Sequence, residues 1–325
     1  MTWRAFTAMA VVGAGLLPFG SLATGQEFPT RGLKMIVPQP PGGGFDLVGR
    51  VTADRLSKVL GQNVVVENRP GTGTLVGTDA ASKAAPDGYT LVVGALPNIV
   101  LNLGLYPKLP YNPQRDLTPI GMAVAYSYAL VTRKDLPQKS FKDLVAYGKA
   151  NPDALTYASG GRGTGQHILM AVTSHLAGIK TRHVPYRGAQ AAYQDVLGGR
   201  IDLFFDNVST AKSLIKDGRV GVLASSAKTR HPDLPDVPTL RETGIADFDM
   251  ETWFGVFTRK GTPDPVLAKL RDAMAKVVAA PDFAPLFAKT GGVPMKQSVA
   301  ESEALVKSET VRWLKLMKDA SITLQ

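Results

Sequence analysis

Val37-Pro38-Gln39-Pro40-Pro41-Gly42-Gly43-Gly44-Phe45-Asp46 is the stretch on which the fold turns. The apolar run Met35-Ile36-Val37 before it is short enough for a buried strand, the prolines forbid its continuation, and Asp46 suits the first turn of a helix. The segment therefore reads as strand, glycine loop, helix. Three consecutive residues without a Cβ let a ligand approach the backbone, and the N–H groups at a helix start are unpaired and partially positive. Such a turn is a seat for an anion. The same residues also satisfy a plain structural turn from strand to helix, so this loop alone leaves both readings open.

Working outward, apolar residues at Leu47, Val48, Val51, Leu56, Val59 and Leu60 follow the spacing of one buried helical face over 46–60, and Gly61 ends it. Val64-Val65-Val66 reads as a second strand, the turn-rich 67–73 leads to a helix over 75–84, and Pro86-Asp87-Gly88 precedes a strand over 89–93. The alternation is a βαβαβ unit with a parallel sheet, which places ligands beyond the carboxyl ends of its strands. The glycine loop lies at such an end. A dinucleotide is excluded there because the glycines are contiguous, GxGxxG is absent, and Asp46 would repel a pyrophosphate. No GxxxxGK[ST] occurs, so no P-loop is present.

From Leu96 to Pro119 the chain is rich in Pro, Asn and Tyr and is expected to form a loop over the cleft, with Leu96 at its start facing the ligand. A strand over 120–131 follows, then a helix opened by Ser140 with an acid three residues on, a capping box in style. Tyr157-Ala158-Ser159-Gly160-Gly161-Arg162-Gly163-Thr164-Gly165-Gln166-His167 then repeats the opening grammar of strand, glycines, small hydroxyls and helix. Two loops of one type in successive α/β units point to a ligand held between two lobes. Its candidate contacts are Gln39, Gly42, Gly43, Gly44, Phe45, Asp46 and Leu96 on one side. On the other stand Gly161, Gly163, Thr164, Gly165, Gln166 and His167, with Asp206 and Asn207 at the end of the strand over 201–205. The Asp206-Asn207 pair reads equally as the cap of a helix starting near Ser209. The strand over 220–225 is read as a return crossing, the aromatic strand 253–257 as core near a hinge, and three helices complete the chain.

Composition narrows the class. With 325 residues, 44% hydrophobic and 20% charged, the chain is globular and long enough for two domains. It has no cysteine, hence no disulfide, no thiol nucleophile and no Cys-based zinc site. The histidines 167, 175, 183 and 231 have no metal-ligand spacing, so no metal and no cofactor is assigned. A net charge of +10 is spread without basic runs, which argues against nucleic acid and for a mild attraction to anions. Residues 1–25 read as an export leader: one charge at Arg4, an apolar stretch to Gly20, and small residues at 21–25 for a peptidase. A membrane anchor is the alternative for that stretch.

Taken in order, six motifs resemble one known family. They are Val37-Pro38 with 40–44 and Asp46, 66–71, 84–91, the Gly161/Gly163/Thr164/His167 loop, 184–188, and 198–200 through Asp206-Asn207. The chain is similar from residue 28 onward to the Bug family, the TctC-like periplasmic solute receptors of tripartite tricarboxylate transporters. The resemblance implies a two-lobed α/β fold of the type II periplasmic-binding-protein kind, closing on a small organic carboxylate and working as a monomer with membrane transporter subunits. It implies lobes of 26–124 with 226–325, and of 125–225, after a leader of 1–25. Both glycine loops are then expected to grip carboxylates, with Asp46 accepting from a ligand amino or hydroxyl group or fixing a water. Gln39 and Phe45 depart from the family pattern, and Phe45 is expected to narrow the pocket or stack on a ring. An exported enzyme acting on small acids, with His167 and Thr164 as base and nucleophile, and a carboxylate sensor for a signalling partner are the competing functions.

Overall fold

The computed structural model describes Met1 and residues 28–245, 248–288 and 290–322. Beyond Met1, the expected leader lies outside the described residues. Among the described residues no helix is long and apolar enough to cross a membrane.

The first half builds a parallel sheet. β1 (Leu33–Val37) runs into α1 (Gly44–Leu60), β2 (Val64–Asn68) follows, and a 3₁₀ turn at Thr72–Thr74 leads into α2 (Leu75–Ser82) and β3 (Thr90–Ala95). β1 lies between β2 and β3, parallel to both, which is why four of its five residues are buried and only Lys34 reaches solvent, where it pairs with Glu67 at 2.8 Å.

The region after β3 differs from its sequence reading. Pro97–Leu101 is a π-helical turn, α3 (Asn102–Leu105) continues it, and everything from Leu91 to Asn102 is buried. Leu96 itself is fully enclosed in the core. The asparagines that signal a surface loop instead satisfy buried groups: Asn98 accepts the Ala95 N–H at 2.7 Å and donates to Thr78 at 3.0 Å. Asn102 donates to Thr74 at 3.1 Å and to Tyr111 at 2.9 Å, and the Tyr111 hydroxyl donates to the Asn98 carbonyl. A closed network of this kind can be buried because no polar group in it is stranded.

After α4 (Pro113–Asp116), β4 (Leu117–Arg133) runs 17 residues through the whole molecule. Its first part pairs antiparallel with β9 (Glu251–Arg259) as far as Ser127. From Tyr128 onward it pairs antiparallel with β7 (Leu203–Asn207), and from Ala129 with β8 (Val220–Ser225). Between these come α5 (Phe141–Ala150), β5 (Leu155–Ser159), α6 (Gly165–Ala177), β6 (Thr181–Pro185), α7 (Ala189–Leu197) and α8 (Val208–Lys216). β5 is parallel to β6 and β7, so this second region repeats the parallel-strand design of the first. α9 (Asp264–Ala279), α10 (Phe283–Ala288), β10 (Val293–Pro294) and α11 (Val299–Asp319) follow β9, and α9 packs on α1 and β4 while α11 packs on β4 and α3. The strand order β2-β1-β3-β9-β4-β7-β5-β6 makes one continuous sheet of two halves, joined through β4.

Candidate functional site

The first glycine loop is held from within. Gly42 has φ +91°, a left-handed conformation open to glycine, and its N–H donates to Asp46 Oδ2 at 3.0 Å. Arg50, one helical turn on, donates its Nε–H to both Asp46 oxygens at 3.0 and 2.9 Å. Asn68 at the end of β2 donates to Asp46 Oδ1 at 2.9 Å and to the Gln39 carbonyl at 3.0 Å. Burial works to raise the Asp46 pKa, and the hydrogen bonds from Arg50, Gly42 and Asn68 outweigh it, holding the carboxyl below its ordinary range. Asp46 is therefore the internal tie of the loop. The N-cap, Gly43, offers no side chain to the first turn of α1, so the N–H groups of that turn carry no side-chain cap beside three exposed glycines.

Phe45 points the other way. It is buried, with its ring edge-on to Phe254 at 5.1 Å, and Phe254 in turn meets Tyr126 at 5.7 Å. It anchors the start of α1 to the core, as successive residues at a helix start diverge by about 100°.

The second loop is stiffened by its own hydroxyls and amide. Thr164 caps α6, donates its hydroxyl to the Gly161 carbonyl at 2.8 Å, and accepts the His167 N–H at 3.4 Å. Gln166 accepts the Gly160 N–H at 2.7 Å and donates to Asp206 at 2.9 Å. His167 Nδ1 accepts the Gly163 N–H at 3.2 Å, which places its proton on Nε2. Beneath the loop the rings of Tyr157, His183 and His167 stack in that order, 4.8 and 4.1 Å apart. Burial, then the nearby Arg162, lowers His167 to about 4; burial, His167 and Arg162 lower His183 to about 3. Both imidazoles are neutral at pH 7. The Thr164 hydroxyl is committed to a carbonyl and faces no imidazole nitrogen within hydrogen-bond reach, so the pair lacks the geometry of a nucleophile and base.

The two loops meet at β9. A Cβ placed on Gly44 would touch Phe254 at 3.4 Å, and one on Gly165 would lie 2.8 Å from the Tyr128 hydroxyl and 3.4 Å from Thr252 Oγ1. Residues 252 and 254 project from the same face of the strand, about 7 Å apart. The starts of α1 and α6 thus flank one short segment of β9, where Tyr128 and Thr252 are hydrogen-bonded at 2.7 Å. On the outer side, a Cβ on Gly73 would come 4.0 Å from the Arg162 carbonyl, so the turn after β2 reaches the second loop. That turn is strained, with Thr72 at φ +41° and Thr74 at φ +106°.

Of the residues expected from sequence, the structure brings Gln39, Gly42, Gly43, Gly44, Gly161, Gly163, Thr164, Gly165, Gln166 and His167 to the two facing loops. Asn207 is half-buried at the start of α8, and its side chain caps nothing. Phe45, Leu96, Asp46 and Asp206 lie behind this surface. Sequence reasoning passed over Tyr128 and Thr252, which carry no local signal, and Arg162 and Arg187. Those two arginines are exposed beside the second loop and have no carboxylate partner among the described residues. A separate hollow at the far end of β5, lined by Arg133, Gln138, Tyr147 and Asp202, has its acid already committed to Arg133 and Thr156.

Known proteins similar to this chain share its family and fold. Residues 48–322 match the family model described as the tripartite tricarboxylate transporter family receptor. The chain is 32% identical to protein BugT of Bordetella pertussis over 320 residues, 98% of each chain. It is similar to the solved periplasmic binding protein BugD, with TM-score 0.80 and 32% identity over 92% of this chain and 100% of that one. It is also similar to MatC from Rhodopseudomonas palustris with bound malate, with TM-score 0.79 and 31% identity over 89% of this chain and 99% of that one.

Proposed function

The chain belongs to the tripartite tricarboxylate transporter receptor family, periplasmic solute-binding receptors and not enzymes, and from that premise we propose that it captures a small organic carboxylate between its two glycine loops. Its fold is the two-lobed α/β fold of the periplasmic binding proteins. We assign the lobes to 26–124 with 226–325 and to 125–225, the leader to 1–25, and the working state to a monomer that hands its ligand to the membrane subunits of a tripartite transporter.

One observation carries the ligand class: the N-terminus of α1, which has no side-chain cap, and that of α6, where Thr164 caps only the His167 N–H, flank the segment of β9 from Thr252 to Phe254. Each offers backbone N–H groups to an anion, and Gln39, His167 Nε2 and Asn207 offer neutral polar contacts around them, while Thr164 and Gln166 brace the second loop. Phe45 and Leu96 act from behind by fixing loop and strand end. Asp46 acts through Gly42 and Asn68, and its negative charge is offset by Arg50. The free guanidinium groups of Arg162 and Arg187 add attraction at the mouth. Malate, a dicarboxylate, is bound in MatC, and that supports a dicarboxylate as the ligand class.

Micromolar affinity requires about 8 kcal/mol, within reach of several charge-assisted hydrogen bonds at roughly 1.5–3 kcal/mol each after the cost of closure. A thermal-shift screen over di-, tri- and aromatic carboxylates is the test. A true ligand at about 100 times its Kd adds about 2.7 kcal/mol of stability. A screen in which no carboxylate raises Tm, while another class of solute does, rejects the proposal.

A further inference from the structure

Asp206 ends β7 and is 1% exposed. Its Oδ1 accepts from Gln166, and Gln166 can present only its NH₂ group there because its own oxygen is taken by the Gly160 N–H. Asp206 Oδ2 and the Tyr193 hydroxyl are enclosed facing one another with no well-formed hydrogen bond, and Asp206 is the charged group nearest that phenol. The titratable groups that face Asp206 are the Tyr193 phenol from α7 and the Tyr128 phenol from β4. α6 contributes the neutral Gln166 amide, α8 buries Val208 and Ala211, and β5 sets Ala158 beside Phe204. No cation pairs with Asp206 among the described residues. The Gln166 amide, the Asn207 backbone N–H and the Tyr193 phenol are the neutral donors close to this carboxyl, too small a set to offset a charge removed from water. Burial accordingly pushes this carboxyl up to about 7.

We propose that Asp206 works as a neutral carboxylic acid that positions the second anion seat: it holds Gln166, Gln166 holds Gly160, and ionisation of Asp206 loosens the loop and places a buried negative charge behind the anion it receives. Asp206 is thus a positioning residue and touches no ligand. The idea rests on the receptor reading for its consequence, a grip on carboxylates that weakens as pH rises. Its stability contribution has the same sign. In the unfolded chain the group ionises near pH 4 and in the folded chain near pH 7, so the contribution is full below about pH 4 and is lost as pH rises toward 7.

Two variants test it. Asp206→Asn keeps the shape and the acceptor for Gln166 and cannot ionise; Asp206→Ala removes the acceptor. Difference infrared spectra of the ligand-free wild type against Asp206→Asn should contain the carbonyl stretch of a protonated carboxyl at about pH 5, fading above about pH 7. A carboxylate band at the lower pH overturns the proposal. Amide exchange at Gly160 should quicken in Asp206→Ala and stay unchanged in Asp206→Asn; equal exchange in both variants also overturns it. With malate as the probe, wild-type affinity should fall about tenfold between about pH 5.5 and 8.5, while Asp206→Asn keeps its low-pH affinity throughout. Parallel pH profiles in the two proteins overturn the coupling to binding. If malate binds neither protein, the ligand class is at fault, and the infrared and exchange results still decide the role of Asp206.

Discussion

At the scale of single residues, the loop glycines separate structure from function. Gly43 has φ −95° and ψ −179°, ordinary extended backbone, and a Cβ there would sit 3.6 Å from the Gln39 side-chain oxygen, an unforced contact. Gly43→Ala is therefore expected to fold with a Tm within a few degrees of wild type, and to lose ligand affinity by about tenfold or more because its methyl covers the N–H groups of α1. Calorimetric titration with the ligand found by the screen checks this, and unchanged affinity would remove the first loop from the site. Asp46→Ala behaves differently. It strands the Gly42 N–H, the Arg50 guanidinium and the Asn68 amide, so both stability and affinity should fall, stability by about 1–3 kcal/mol. Denaturant titration beside calorimetry distinguishes this internal tie from a direct ligand contact, which would cost affinity alone. The sequence marked Asp46 as functional by its place after the glycines. It could not show that both carboxylate oxygens are occupied by the chain itself.

At the scale of elements, the Tyr157–His183–His167 stack links β5, β6 and α6 under the second loop. Both imidazoles stay neutral in the folded chain down to about pH 4 and 3, whereas in the unfolded chain they charge below about pH 6.5. The unfolded state then binds more protons, so stability falls as pH drops from about 6.5 toward 4. Urea midpoints across that window should fall, and His183→Asn should flatten the dependence; an unaltered slope would reject the assignment to this stack. Asp206 acts in the opposite sense over part of the same range and offsets some of this loss, so Asp206→Asn should make the acid loss of stability steeper in the same urea titrations. The helix after the first loop was readable from periodicity: α1 covers 44–60 against the expected 46–60. The stretch from Leu96 was not. Asn98 and Asn102 are loop-forming by local preference, and only their partners Thr78, Thr74 and Tyr111, brought in from α2 and the far side of α3, make burial possible.

At the scale of the whole molecule, the two halves share β4, whose first part pairs antiparallel with β9. Gly255 lies there, and a Cβ on it would meet the Gly121 carbonyl and the Met122 sulfur at 2.8 Å each. Backbone on the facing strand cannot move aside without breaking the β4–β9 register, so Gly255→Ala is expected to lower stability by more than about 2 kcal/mol. Thermal unfolding checks it, and a Tm shift under a few degrees would show that the pairing tolerates separation. Trp253, buried beside this point, gives an intrinsic fluorescence reporter for any closure on ligand.

The local units were legible in the chain itself: two strand–glycine–helix turns, the capped helices and the ordered motifs that resemble the receptor family to which the chain belongs. These rest on backbone geometry and nearest-neighbour chemistry, which a few consecutive residues specify. Only the tertiary structure decided that both helix starts meet at residues 252 and 254 of β9, that Phe45 faces the core, and that Asp206 is sealed behind Gln166 without a cation. Those facts depend on the pairing of β4 with β9 and β7, contacts between residues about 70–140 positions apart. No local pattern encodes which side of such a long-range pairing a side chain will take.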